Sequence, residues 1–285
     1  MDLCSLKDIR PILEKNGFHF SRSKGQNFLI DSSVPRRIAE YSGIDRDCGV
    51  LEVGPGVGCL TRELTQRAEK VVAVELDKRL LSVLDETLAG IDNVEIISAD
   101  VLKLDLETLV NEKLDGLRPC VCANLPYNIT TPVLTKLIDT GLFTSLTVMV
   151  QREVARRMCA RAGQSDYGAF SIYIRWHCEP EILFDVAPGC FYPAPKVTSS
   201  VIQLTKREVA PEPVDEALFF RVVRAAFSQR RKTLLNALSA AFGSSIPRER
   251  MGELIYSAGL EKNVRGEALD IGEFAVLSEL IGGEL

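Results

Sequence analysis

Histidine is nearly absent from this 285-residue chain: it occurs only as His19 and His177, and neither has ligand-type neighbours at metal spacing. Paired C-x-x-C elements are also missing. Of the eight cysteines, Cys120 and Cys122 form a C-x-C inside an apolar stretch, and Cys4, Cys48, Cys59, Cys159, Cys178 and Cys190 stand singly. In a reducing compartment these read as small neutral residues, so neither a metal centre nor a disulfide framework is expected. No apolar run approaches the ~18 residues needed to span a membrane. Met1-Asp2-Leu3-Cys4-Ser5-Leu6-Lys7-Asp8 lacks the apolar core of a signal peptide, so the expected location is cytoplasmic, with no membrane partner. Internal repeats and low-complexity segments are absent too.

An excess of positive charge is likewise missing. Lysine and arginine number 34 against 39 acids, a net charge of −5. A nucleic-acid partner usually leaves a basic footprint. The cations are nevertheless clustered. Arg221, Arg224, Arg230, Arg231 and Lys232 share a stretch that contains no acid; Arg152, Arg156, Arg157 and Arg161 have only Glu153 among them; Arg22, Lys24, Arg36 and Arg37 form a third group. One such cluster reads as a solvated helix face. Three together favour a surface that tracks phosphates.

What is present is an alternation of short apolar strands and amphipathic stretches, in a composition (46% hydrophobic, 26% charged) typical of a globular protein. Strands are expected at 50–53, 71–75, 94–97, 120–123 and 146–150, with helices at 59–67, 78–88 and 131–140 between them. Short, almost continuously apolar strands separated by helices predict a parallel sheet covered on both faces. Residues 167–176 fit either element: Ile172, Ile174 and Trp176 alternate as in a strand, but the length suits a helix. Two further strands are expected at 181–186 and 197–205, joined by the proline-rich 188–195 loop. Residues 206–213 read as a linker, followed by helices beginning at the cap Asp215 and at 233–241, 247–258 and 271–280. The predicted fold is α/β, with domains at 1–207 (including a helical extension, 1–48) and 208–285, the latter all-helical.

Glu52-Val53-Gly54-Pro55-Gly56-Val57-Gly58 lies where the first of these strands meets its helix. Its G-x-G-x-G spacing departs from the G-x-G-x-x-G dinucleotide fingerprint, which disfavours an oxidoreductase. S-adenosylmethionine has no pyrophosphate and fits such a loop. Glu75, ending the second strand, can accept bonds from both ribose hydroxyls, and Asp100, past the third, can accept from the adenine amino group. Three such features at consecutive strand ends form a nucleoside-binding constellation.

Asn124-Leu125-Pro126-Tyr127 ends the fourth strand. By itself N-x-P-Y is a common turn before a helix. Beside a methyl donor it acquires a chemistry. The lone pair of an adenine N6 is delocalised into its ring, so the amine must be held in line with the methyl group. The Asn124 side-chain oxygen and a backbone carbonyl beside Pro126 can accept its two N–H bonds, and Tyr127 offers a face for an extruded base.

Gln26-Asn27-Phe28-Leu29, Asn124-Leu125-Pro126-Tyr127 and Phe191-Tyr192-Pro193-Ala194-Pro195-Lys196-Val197 together resemble the ribosomal RNA adenine dimethylase family. The resemblance runs from about Ser23 to the carboxyl terminus. It implies a class I S-adenosylmethionine-dependent methyltransferase sheet (Rossmann-like) with a last antiparallel strand and a small carboxyl-terminal helical domain. It makes 167–176 a helix. It also implies that Gln26, Asn27, Leu29, Gly54, Gly56, Gly58, Glu75, Asp100 and Asn124 contact the cofactor, that Phe191 faces the base opposite Tyr127, and that no metal takes part. The implied substrate is a pair of adjacent adenosines in the 3′-terminal hairpin loop of small-subunit (16S) RNA. Each is dimethylated during assembly of the immature small subunit, by a monomeric enzyme whose Arg221, Arg224, Arg230, Arg231 and Lys232 hold RNA. The rivals are a large-subunit (23S) RNA dimethylase of the macrolide-resistance type and a small-subunit assembly factor without catalysis. Leu125 and the Arg230–Asn236 segment favour the small subunit.

Overall fold

The computed structural model describes residues 1–18, 27–229, 231–261 and 263–285. They divide into two compact units, one made of Met1–Ala155 with Glu181–Lys206, the other of Arg156–Pro180 with Arg207–Leu285.

The first unit is built on β2 (Cys48–Val53), β3 (Lys70–Glu75), β4 (Val94–Ser98), β5 (Arg118–Asn124), β6 (Ser145–Gln151), β7 (Cys178–Val186) and β9 (Ser199–Lys206), in the order β4-β3-β2-β5-β6-β9-β7. The pairs β2–β3, β3–β4, β2–β5 and β5–β6 are parallel, while β9 runs antiparallel to β6. Every residue of β2 is buried, as expected of a central strand with both faces covered. Alternate side chains go to opposite faces. Val50 joins a core with Ile38, Leu60 and Leu64, residues of α2 (Ser33–Tyr41) and α3 (Cys59–Thr65). Leu51 and Val53 are buried on the other face. The connections β2–β3, β3–β4 and β5–β6 run through α3, α4 (Lys78–Thr87) and α6 (Thr130–Asp139). A further helix, α5 (Leu106–Lys113), lies between β4 and β5, capped by Asp105, which accepts from the Thr108 amide. The chain order reverses between β2 and β5, and open α/β sheets bind ligands at the carboxyl ends beside such a reversal.

The helical extension contains α1 (Leu6–Lys15) and α2, and between them lies β1 (Phe28–Leu29). This two-residue strand pairs antiparallel with β8 (Phe191–Tyr192), with Phe28 opposite Tyr192 and Leu29 opposite Phe191. Strands of this length leave no periodicity to read, which is why 188–195 reads in the sequence simply as a loop.

The second unit is helical. The last helix of the first unit, α7 (Arg152–Cys159), runs across the division, and α8 (Ala169–His177) follows it. The resemblance therefore gives the correct element for 167–176, and the alternation misleads because Ile172, Ile174 and Trp176 are all buried on one helix. Then come α9 (Glu216–Phe227), α10 (Leu234–Phe242), α11 (Arg248–Ser257) and α12 (Ile271–Gly282). Asp215 caps α9 by accepting from the Leu218 amide at 3.0 Å. The division expected at 207/208 differs from the observed units, because Tyr167, Ile172 and Trp176 share a core with Phe219, Val222 and Phe274. Packing, not order along the chain, places 156–180 with the carboxyl-terminal helices. The Trp176 and Phe219 rings stack with centroids 4.2 Å apart, and both are almost fully buried. Truncating a buried aromatic costs about 3–5 kcal/mol. Trp176→Ala should therefore lower the thermal midpoint by several degrees or leave the second unit unfolded, measured by calorimetry.

Candidate cofactor and base site

The carboxyl ends of β2, β3 and β5, with β1, enclose a cavity of about 540 Å³. Its floor is the turn from β2 into α3. Gly54, Gly56 and Gly58 take φ values of +69°, +62° and +89°, a region that costs other residues about 1–2 kcal/mol each. The G-x-G-x-G spacing thus answers to three left-handed positions in one turn. Crowding does not add to this at the first two: a Cβ on Gly54 would lie 3.8 Å from Pro126 Cδ, and one on Gly56 3.5 Å from the Phe28 ring, both ordinary contact distances. Gly58 differs, since its Cβ would sit 3.0 Å from Leu88 and it does not line the cavity. It is there for packing under α3.

Glu75 ends β3 with one carboxylate oxygen accepting from the Asp77 amide at 2.8 Å. Burial raises its pKa, while the Asp77, Gly56 and Leu76 amides pull it partly back. Asp100 Oδ1 accepts from the Leu102 amide at 3.0 Å, which fixes the side chain. The loop is held from behind, because Lys136 of α6 donates to the Leu102 and Leu104 carbonyls at 2.9 and 2.7 Å.

On the opposite wall the Leu125 amide donates to the Met149 carbonyl of β6 at 3.2 Å. The Pro126 carbonyl already accepts from the Ile129 amide at 3.2 Å and the Thr130 hydroxyl at 3.1 Å. Among the described residues, neither the Asn124 side chain nor the Leu125 carbonyl makes a hydrogen bond. The carbonyl open to an incoming donor is therefore that of Leu125. Tyr127 lines the cavity and its hydroxyl is 2.6 Å from Ser199 Oγ.

Of the sequence-predicted residues, Asn27, Leu29, Gly54, Gly56, Glu75, Asp100, Asn124, Leu125, Pro126 and Tyr127 all line this one cavity. Phe191 does not; it is buried in β8 opposite Leu29. Gln26 and Arg230 lie outside the described residues, as do Arg22 and Lys24 of the third basic group. Arg221, Arg224, Arg231 and Lys232 are exposed on the second unit and make no ion pair with an acid among the described residues. The Arg221 guanidinium lies 4.4 Å from the centre of the Phe242 ring. No group of three or more histidine, cysteine, aspartate or glutamate side chains is placed to hold a metal among the described residues, and all eight cysteines are free thiols.

Glu52 opens the Glu52–Gly58 segment; no role is expected for it from the sequence, yet it is part of the site. It lies in β2 beside the cavity, 1% exposed, with Oε2 lacking any hydrogen-bond partner. Burial pushes its pKa up to about 8 and the Glu75 charge adds to this; the Thr61 hydroxyl pulls partly back from outside hydrogen-bonding geometry. Two sequence signals point to it: it is a lone acid in an otherwise apolar central strand, and it stands two residues before Gly54. Phe28 and Leu76 also line the cavity; Phe28 lies inside the Gln26–Leu29 motif without a role expected for it, and no sequence signal marks Leu76.

The sequence signature of the ribosomal RNA adenine dimethylase family matches residues 17–281. The chain belongs to that family. Among curated relatives, this dimethylase is 44% identical over 284 residues to the ribosomal RNA small subunit methyltransferase A of Geobacillus kaustophilus, covering 98% of this chain and 97% of the relative. It is 45% identical over 287 residues, with the same coverage, to the protein of that name from Bacillus cereus. Among solved structures it is similar to a dimethyladenosine transferase from Plasmodium falciparum, with TM-score 0.77 and 25% identity over 90% of this chain and 98% of the other. The 23S rRNA methyltransferase ErmE gives TM-score 0.68 and 27% identity over 90% of this chain and all of its own. The dimethylase is thus an enzyme with the class I methyltransferase fold, and its family and fold use S-adenosylmethionine.

Glu52 gives this dimethylase a pH-dependent stability. The folded protein holds the Glu52 proton up to about pH 8, whereas the unfolded chain releases it near the ordinary glutamate value of about 4.3. Stability is therefore lost as pH rises between these values, and no more is lost above them. In the unliganded protein Glu52→Gln should match the parent near pH 4 and exceed it by a few kcal/mol above pH 8. Denaturant titration at both pH values checks this; equal stability at pH 8.5 would contradict it.

Proposed function

We propose that this chain dimethylates N6 of two adjacent adenosines in the 3′-terminal hairpin loop of small-subunit (16S) rRNA, within the immature small subunit, using S-adenosylmethionine. It is read as a cytoplasmic monomer. The observation that carries the reading is the convergence of the glycine turn, Glu75, Asp100 and the Asn124–Tyr127 segment on one cavity. Near-full-length likeness to two small subunit methyltransferases supports the choice of subunit over the large-subunit reading.

The residues present fit S-adenosylmethionine. Side-chain-free positions at Gly54 and Gly56 leave room for a ligand on the turn, and Glu75 and Asp100 offer acceptors to ribose hydroxyls and an adenine amine. Asn27, Leu29 and Asn124 close the same cavity. When bound, this cofactor supplies a methyl group on a positively charged sulfur.

The protein supplies position. The Asn124 side-chain oxygen and the Leu125 carbonyl accept the two N6–H bonds and so turn the nitrogen lone pair towards the cofactor side of the cavity. Thr130 and Ile129 occupy the Pro126 carbonyl and hold the turn in that form. Tyr127 presents a ring to the extruded adenine, with Phe191 assigned to the other side of the base. A loop adenosine costs least to extrude, which suits a hairpin target. Alkylation makes the N6 proton acidic enough for solvent to take it. The exposed Arg221, Arg224, Arg231 and Lys232, with Arg230, bind RNA phosphates.

The deciding experiment incubates the protein with labelled S-adenosylmethionine and unmethylated small subunits and maps the modified nucleotides. Modification of deproteinised large-subunit RNA, with none on small subunits, would overturn the reading. Asn124→Ala should lower methyl transfer by at least about 100-fold with subunit binding within twofold of the parent; activity within a few-fold would remove Asn124 from its role. Arg231→Glu with Lys232→Glu should weaken subunit binding and flatten its dependence on salt. The slope of log K against log salt should fall by about 0.7–0.9 for each phosphate that is no longer neutralised, and an unchanged slope would return these residues to a solvated face.

A further inference from the structure

We infer that Ser199 is a positioning residue for methyl transfer, holding the Tyr127 ring against the target base through its hydroxyl; this rests on the functional reading above. The base-holding segment leaves β5 and is anchored at two points on neighbouring strands. One is the Leu125 amide on the Met149 carbonyl of β6. The other is the Tyr127 hydroxyl, 2.6 Å from Ser199 Oγ. Ser199 opens β9 and pairs with Gln151 at the last rung of the β6–β9 ladder, so its position is fixed by the sheet.

The burial of Ser199 makes the pairing matter. Its side chain is fully buried in a strand, where a hydroxyl without a partner would be costly. The neighbouring Ser200 is satisfied separately, 2.5 Å from Asp185. Tyr127 is half-buried, and burial keeps its phenol protonated well above neutral pH. The phenol is thus an unsuitable proton acceptor for the reaction. What the bond does is remove ring freedom: the Tyr127 ring is fixed at its backbone end by the turn and at its far end by Ser199. A group that must present a base within about 0.5 Å and 10–20° of its productive pose gains from such restraint. A neutral hydrogen bond contributes about 0.5–1.5 kcal/mol, a factor of about three to ten in the rate at saturating RNA.

The test compares the full-length parent with Ser199→Ala, Ser199→Thr, Tyr127→Phe and the Ser199→Ala/Tyr127→Phe pair on unmethylated small subunits. Ser199→Ala and Tyr127→Phe should each lower kcat about three- to tenfold, the double variant should be no worse than either, and Ser199→Thr should recover most of the loss. S-adenosylmethionine affinity by calorimetry should stay within twofold throughout. A second readout is independent of turnover. A subunit RNA carrying 2-aminopurine at the mapped position should lose fluorescence when it stacks in the parent, and lose less in Ser199→Ala. An unchanged kcat, additive losses in the double variant, or a parallel fall in cofactor affinity and thermal midpoint would each overturn the inference. Absence of methyl transfer by the parent itself would bring down the functional reading, and this inference with it.

Discussion

The site depends on one convergence, that of the turn after β2 and the turn after β5 on a single cavity. These strands are parallel neighbours, paired from Cys48 with Arg118 to Leu51 with Val121, and they part at their carboxyl ends. The order of connection reverses there, so the helices that follow diverge and leave a crevice. A Cβ on Gly54 would meet Pro126 only at ordinary van der Waals distance, so the two turns face each other with room between them. Methyl transfer needs donor and acceptor in line within a few ångströms, and turns that open onto one cavity bring the two ligands that near. A side chain at Gly54 would strain the turn through its φ of +69°.

Other features brace those turns or the loops beside them. Gly58 lets α3 pack under the first against Leu88. Lys136 reaches from α6, the helix that starts just after the base-holding turn, to the Asp100 loop on the far side of the cavity. The β1–β8 ribbon joins the segment carrying Asn27 and Leu29 to the one carrying Phe191. Phe191 is buried there, so a base stacking on it would require that ribbon to shift. The segment carrying Asn27 and Leu29, proposed for the cofactor, and the one carrying Phe191, proposed for the base, are therefore linked through two paired backbone strands.

Much of this is legible from residues, because the signals are chemical and local. Glycines at alternate positions after a strand, an acid ending the next strand and N-x-P-Y ending another each have a geometric reason tied to spacing. What stays illegible has no local signature. A two-residue strand has no period, so β1 and β8 are hidden. The grouping of 156–180 with the later helices depends on Trp176 meeting Phe219, residues far apart in sequence. Glu52 is visible as an acid in an apolar strand, but its missing hydrogen bond belongs to the packed interior. Likewise the carbonyls of Leu125 and Pro126 can be told apart only by the Ile129 amide and the Thr130 hydroxyl, which both sit on the second.

The net charge of −5 is the least informative number in the sequence, and the structure explains why. A phosphate senses charges within roughly a Debye length, about 8–10 Å at physiological salt, so only the local balance counts. Many acids are already committed: Glu95 to Lys113 and Lys70, Glu284 to Arg250, Asp77 to Arg79, Glu179 to Arg207. Arg221 and Arg224 lie one turn apart on α9, and Arg231 and Lys232 just beyond its end, all exposed and without an acidic partner among the described residues. Cations left unpaired beside one another retain their full field for an external anion, while paired acids contribute little at that distance. An acidic protein can in this way present a basic face, and counterion release from the RNA would then scale with these few residues rather than with the total.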